Sequence, residues 1–344
     1  MQAYIIRRIL LNFLVIFLVA TFVFAALRID TSTVVRNAAG NCFSGNTDPA
    51  AAERCREIAK AQLGLDSSLP KQYWDYMTGL AQGDLGFSFK SQHPVLDEIK
   101  ERAAPTVELG ILQILVAILI ATPIGIISAI RQDSWIDYFL RFFSIFFLGI
   151  PVFVVAIITI VVTSRFAGGT FLPDWFGPQG SYEKLPVEFD LYIIPTSIHI
   201  SNIIPHFKGM LAPALIGGLG TGAVIMRFLR SQMLEVLRQD YVRTAWSKGL
   251  KERSIIIRHA LKNALIPVLT LIGILLGGIV SSNVVLESIY RIPGIGNYIV
   301  FAVAQNPDFP VIQGVVIVVA VSLVFINLVV DIAYGWLDPR IRYS

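Results

Sequence analysis

Of 344 residues, 55% are hydrophobic and only 15% are charged, well short of the roughly one-quarter charged share of soluble domains. With a mean hydropathy of +0.66, this excludes an ordinary soluble enzyme and requires a set of membrane helices. The net charge of +4 is explained by cytoplasmic loops, which carry surplus Lys and Arg, so no nucleic-acid partner is expected.

A helix needs about 20 mostly apolar residues to cross a bilayer. In chain order six segments qualify: Tyr4 to Leu27, Val107 to Ile130, Tyr138 to Ser164, Met210 to Leu229, Pro267 to Val285, and Val311 to Tyr334. The first follows Arg7 and Arg8, and Val23-Phe24-Ala25 resembles a signal-peptide cleavage site. Its apolar run exceeds the roughly 7 to 15 residues of a signal core, so it is read as an uncleaved span.

The positive residues set the orientation. With Arg7 and Arg8 inside, an even number of crossings returns the tail, with Arg340 and Arg342, to the same side. Arg131 and the basic stretch from Arg230 to Lys262 fall there too. Both termini are therefore expected in the cytoplasm. Residues 28-106 form a polar extracytoplasmic lobe after the first transmembrane helix at 1-27, and residues 107-344 form the transmembrane core. A second excursion, Arg165 to Lys208, is rich in Pro and Gly. The only two cysteines, Cys42 and Cys55, share the first lobe, and an oxidising exterior favours a disulfide between them. The expected fold class is all-α and polytopic.

Sequences that announce hydrolysis, metal chemistry or redox exchange are missing: there is no GxxxxGK[ST], HExxH, GxSxG or CxxC. No catalytic residue, metal ligand or cofactor is assigned. His199 and His206 are expected to be surface residues of the second excursion. Glu108, Arg227, Glu287 and Asp331 stand near span ends, where snorkelling or capping accounts for them. Gly217, Gly218, Gly220 and Gly222 lie in an apolar helix without a following Lys, a context in which small residues serve close helix packing or line a pore.

One polar stretch interrupts the apolar pattern, QDYVRTAWSKGL at Gln239 to Leu250. Leu234, Leu237, Tyr241 and Ala245 recur at helical spacing, Gly249 supplies a break, and Ile257, Leu261 and Leu265 mark a second helix ahead of Pro267. A connector needs only a few residues. A loop spanning 230-266 therefore suits a docking element on the cytoplasmic face, against the alternative of an ordinary positively charged loop with an interfacial helix.

Thr244-Ala245, then Gly249, then Asn263-Ala264-Leu265-Ile266-Pro267 resemble the cytoplasmic EAA motif of bacterial ABC-importer permeases. The order DYVRTAWSKGL…RHALKNALIPV is similar to the dipeptide, oligopeptide and nickel branch of that family. The resemblance extends over the chain through YIIRRIL, QLGLDSSLPKQYWDYMTGLAQGDLGFSF, APTVEL, SIYRIPGIG and DIAYGWLDPRI. Arg243 stands where the general family has Glu, and the spacing from Gly249 to Pro267 is longer than in the general signature; both are similar to the peptide branch.

The resemblance implies a permease of the bacterial inner membrane, paired with a second homologous permease and fed by an external substrate-binding protein. It also implies two cytoplasmic ATPase subunits that bind ATP and Mg, leaving this chain without a catalytic site. Tyr241, Arg243, Thr244, Ala245, Lys248 and Gly249 are the expected coupling contacts. Peptide transport is the leading reading; nickel chelates, sugars and, further off, a secondary transporter are the alternatives.

Overall fold

The computed structural model describes residues 2–29, 31–39, 49–62, 65–165, 187–190, 194–198, 203–278, 283–304 and 307–337. Nearly all of these are helical. In chain order come α1 (Gln2–Ile29), α2 (Thr31–Ala39), α3 (Pro49–Gln62), α4 (Leu69–Ala81), α5 (Val95–Ile130), α6 (Trp135–Gly149) and α7 (Val152–Arg165). There follow a two-stranded antiparallel hairpin, β1 (Val187–Asp190) and β2 (Ile194–Ile198), then α8 (Ile203–Leu237), α9 (Asp240–Ser247) and α10 (Glu252–Gly277). The chain continues through α11 (Val284–Tyr290), α12 (Ile295–Val303) and α13 (Phe309–Leu337). The hairpin lies in the second polar excursion and is the one departure, among the described residues, from an all-α chain.

Five helices are long and apolar enough to cross a membrane, and a sixth crossing exists if α6 and α7 form one broken span. The expected span Tyr138 to Ser164 is thus two helices bent by 96°. Pro151 is the cause: it has no N–H to donate and disfavours helical backbone in the residue before it, and Ile150 is extended at φ −84°, ψ 126°. The 106/107 boundary between lobe and core lies within α5, which begins at Val95. One other expected boundary moves: Pro267 does not open a span; it lies within the helical run that starts at Glu252.

The chain divides into two compact units. The first comprises residues 1–104 and 294–328. Its buried centre is Val95, Ile99, Ile295, Tyr298, Ala302, Val311 and Val315. The close approach of α13 there requires glycine, because a Cβ on Gly314 would stand 2.7 Å from Val95 Cγ1. Ser88 Oγ and the Lys90 backbone N–H both donate to Asp308 Oδ2, at 2.7 and 3.0 Å. Lys90 Nζ donates to the carbonyls of Phe301 and Ala304 at the end of α12. A smaller cluster of Val35, Ala39 and Cys55 joins α2 to α3.

The second unit, 105–293 and 329–344, holds two larger clusters. Ala117, Ala121, Ile225, Leu229, Met233, Ala260, Ala264 and Val268 pack α5, α8 and α10 together. Leu109, Ala156, Met210, Ala214, Leu286 and Tyr290 join α5, α7, α8 and α11. Large side chains outside these clusters face outward, among them Leu119, Phe139, Phe142 and Ile274. In water so much exposed apolar surface would demand a partner; on membrane helices it meets lipid.

Candidate functional site

The stretch QDYVRTAWSKGL folds as α9, a short helix set off from α8 at Arg238–Gln239 and from α10 at Lys248–Lys251. Gln239 is extended at φ −72°, ψ 148° and starts the new helix. The expected single stripe of Leu234, Leu237, Tyr241 and Ala245 is therefore divided between two helices, the first pair ending α8 and the second on α9. Val242 and Ala245 form the buried face, packed with Ile255 and flanked by Val236 and Leu237.

The expected contacts separate by exposure. Ala245 is 6% exposed, so it anchors the helix and has no free face for a partner. Arg243, Thr244, Lys248 and Gly249 are exposed. Arg243 stands 3.7 Å from Asp240 with both side chains largely in solvent, an ion pair worth at most about 1 kcal/mol. Thr244 Oγ1 donates back to the Asp240 carbonyl at 2.9 Å. Tyr241 is half-exposed, and its hydroxyl accepts from Asn263 Nδ2 at 2.8 Å, fixing α9 to α10. Gly249 has φ +74°, a conformation that side chains with a Cβ rarely take.

Sequence reasoning missed Trp246, which is 56% exposed on the outer face of α9. Helical spacing would have placed it with Val242, four residues earlier and buried, so the exposed ring was not readable from the pattern; Trp is enriched among residues that anchor protein interfaces. Also missed was the π-helical turn Ile255–Leu261 at the start of α10. Its wider turn alters which residues face inward: Ile255 and Ala260, five apart, are buried, followed by Ala264 and Val268. The expected stripe begins instead with Ile257, which is 47% exposed.

Just above α9, an ionic cluster ties three helices together. Asp137 on α6 is fully buried; it receives Arg230 Nε at 2.9 Å, Arg230 Nη2 at 2.7 Å and Ser128 Oγ at 2.5 Å. The Asp133 backbone N–H adds a fourth bond at 3.1 Å. Arg230 was expected in an open loop; it lies within α8, and its side chain is 16% exposed. A buried carboxylate is tolerated only when paired and hydrogen-bonded, which this arrangement provides.

A second polar group lies in the N-terminal half of α5. Thr106 Oγ1 donates to the buried Glu287 carboxylate at 2.8 Å, and the fully buried Asn283 sits within 3.5 Å of the Thr106 carbonyl. Burial pushes the nearby Tyr290 hydroxyl up to about 12. Glu108 pairs with His206, and His206 is 4% exposed. The reading of His206 as a surface histidine is corrected: it stands on the first turn of α8, turned against α5. The snorkelling account of Glu108 and Glu287 gives way to pairing. His199 lies outside the described residues.

The glycine run of α8 serves close packing at three of its four positions. A Cβ on Gly217 would stand 2.5 Å from Gln113, on Gly218 2.6 Å from Val116, and on Gly222 3.3 Å from the Ala117 backbone. Gly220 faces open space. Cys55 is buried and disulfide-bonded; Cys42 lies outside the described residues.

The architecture is that of a polytopic helical membrane protein with a short amphipathic helix packed between two apolar helices, and the comparisons place it among the membrane components of transport systems. The chain belongs to the family described as the binding-protein-dependent transport system inner membrane component, which matches residues 121–343, with that family's N-terminal part matching residues 1–110. It is 36% identical over 345 residues to the dipeptide transport system permease protein DppB of Alkalihalophilus pseudofirmus, covering all of both chains. It is 34% identical over 344 residues to the oligopeptide transport system permease protein AppB of Bacillus subtilis, again covering all of both. The glutathione transport system permease protein GsiC of Escherichia coli is 31% identical over 344 residues, with the same full coverage.

Proposed function

We propose that the chain is one of two homologous permease subunits of an ATP-driven importer in the bacterial inner membrane, with both termini in the cytoplasm and short peptides as the substrate. An external binding protein delivers the peptide, and two cytoplasmic ATPases bind ATP and Mg and perform all of the hydrolysis. The observation that carries the reading is the build of α9: one face is locked to α8 and α10 by Val242, Ala245 and Tyr241, while Arg243, Thr244, Trp246 and Lys248 are presented outward. A short amphipathic helix seated in a partner's groove transmits displacement only if it is rigid against its own subunit. Tyr241 and Ala245 thus act inside the chain, and Trp246 supplies the apolar anchor.

Peptide as substrate is supported by the names of full-length relatives, which specify dipeptides, oligopeptides and glutathione, itself a tripeptide. Substrate-dependent ordering of the path is a two-state equilibrium that bound partners bias. The test is uptake of a labelled dipeptide or short peptide by the complete complex in liposomes containing ATP. Uptake that requires ATP and binding protein, and that a nickel chelate or sugar does not compete for, is expected. Uptake of the chelate or sugar in place of peptide would overturn the substrate assignment.

A further inference from the structure

The first unit contains a groove of about 940 Å³ lined by the end of α1, by α2 and α3, and by the segment leading into α4. Four cations line it, Arg28, Arg36, Arg56 and Lys60, against two carboxylates, Glu53 and Asp66; Arg56 already pairs with Glu53 at 3.7 Å, so the surplus of two positive charges falls on Arg28, Arg36 and Lys60. None of these residues belongs to the coupling helix or to the buried polar clusters of the transmembrane core.

Arg28 is held ready for a ligand. Its guanidinium lies 4.5 Å from the Phe24 ring centroid, and Nε donates to Gln72 Oε1 at 2.9 Å. Gln72 is itself buried and anchored, donating to the Ser67 carbonyl at 2.7 Å. With Nε committed, the two Nη groups remain to donate together, the geometry with which arginine grips a phosphate or carboxylate. A guanidinium already fixed by stacking and a hydrogen bond loses little freedom on binding.

Position selects the anion. The apolar stretch of α1 runs on to Leu27 and Arg28 follows it at once, a position from which a basic side chain reaches the headgroup layer. Leu69, 62% exposed, lines the groove, and Ile29, next to Arg28 in the chain, is 87% exposed; such apolar surface enters the headgroup layer beside basic residues. We propose that this groove binds the phosphate of an anionic phospholipid in the leaflet where α1 ends, anchoring the lobe to the membrane surface. Each nearby Lys or Arg adds to the attraction for anionic lipid. The inference requires α1 to span the membrane and is independent of the transported substrate.

The test uses the full chain in detergent, with retained lipid counted by native mass spectrometry after exposure to phosphatidylglycerol or phosphatidylcholine. Wild-type protein should retain phosphatidylglycerol about tenfold more strongly than phosphatidylcholine. Arg36→Gln with Lys60→Gln, both at exposed positions, should reduce that preference by about tenfold without altering thermal unfolding in phosphatidylcholine. Arg28→Gln should have a similar effect, and Arg28→Lys should restore charge but not the paired donation, recovering only part of it. Equal retention of the two lipids, or unchanged preference in the variants, overturns the proposal. Displacement of the lipid by low-millimolar inorganic phosphate would assign the groove to a free anion instead. Unchanged lipid preference together with lost binding-protein stimulation in the variants would assign it to a protein partner.

Discussion

Arg230 on α8 grips both carboxylate oxygens of Asp137 on α6, Nε to Oδ1 at 2.9 Å and Nη2 to Oδ2 at 2.7 Å. Breaking such a buried pair leaves one charge without compensation and costs about 3 to 5 kcal/mol, whereas replacing both partners by apolar residues of similar size is often near neutral. Asp137→Leu is therefore expected to lower stability by that amount, because the buried Arg230 loses its counter-ion, and Arg230→Met by less, because Arg141, 3.2 Å from Oδ2 and one-third exposed, still faces the carboxylate. Asp137→Leu combined with Arg230→Met should recover most of the loss. Thermal unfolding in detergent across the four-protein cycle checks this; additive losses in the double variant would show that the pair is not coupled.

The glycines of α8 yield a sharper contrast. At Gly218 an added Cβ meets the Val116 side chain at 2.6 Å and the Gln113 carbonyl at 2.9 Å, neither of which moves aside easily. Gly218→Ala should destabilise by about 1 to 3 kcal/mol through overpacking. Gly220→Ala, facing open space, should be neutral or stabilising by up to about 1 kcal/mol, since alanine is the better helix former. The same unfolding measurement separates the two sites, and equal effects would mean that α5 and α8 do not approach as closely as the structure places them.

How much of this was legible depended on whether the signal was local. The spans were readable because apolar length alone defines them, and Gly249 because a left-handed turn has a residue signature. The bend at Ile150-Pro151 was signalled by the proline but hidden inside an unbroken apolar run. The inward face of α10 was misread because a 3.6-residue period cannot anticipate a π turn: Ile255 to Ala260 is a five-residue step. Ala245 was placed among the partner contacts because a motif match does not say which side of a short helix is buried. Asp137 with Arg230, and Glu108 with His206, join residues about a hundred positions apart, and no pattern along one sequence pairs them.

The lobe offers a chemical test. Cys55 is disulfide-bonded, and Cys42 is the only other cysteine in the chain. Freshly purified, unreduced protein should take up no thiol-alkylating reagent, and two labels per chain should appear after reduction and unfolding. In the loop-entropy model a bridge closing a short loop contributes about 3 kcal/mol, so reduction should also lower the midpoint of unfolding. Two labels on unreduced protein would sink the pairing.

Trp246 is exposed on the outer face of the helix that Val242 and Ala245 hold in place. Truncating a buried interface tryptophan commonly costs about 2 kcal/mol or more. Trp246→Ala should weaken association with the ATPases by at least about thirtyfold in a pull-down titration, while its effect on stability of the isolated chain stays small. Arg243→Ala, which removes only an exposed pair, should change association by less than about fivefold. Equal effects of the two variants would place the partner's groove elsewhere.

Gly249 separates backbone geometry from side-chain packing at the same site. Its φ of +74° disfavours any residue with a Cβ, yet no atom lies within 4 Å of where that Cβ would be. Substitution is therefore strained by conformation and not by collision. Ala should cost about 1 kcal/mol, Val more because branched residues are least tolerated there, and Asn least because it enters the left-handed region readily. The membrane helices do not depend on this turn, so all three variants should insert and pair with the second permease. What changes is the path from α9 into α10, across the π turn that carries Ile255 against Val242. Relaxing the strain rotates α9 away from its seat and mis-sets the face that bears Arg243 and Trp246. Peptide uptake and binding-protein-stimulated ATP hydrolysis by the complete complex should fall in the order Asn, Ala, Val, with ATPase association declining in parallel. If Gly249→Val retained wild-type uptake and stimulation, α9 would be an interfacial connector and not the coupling element.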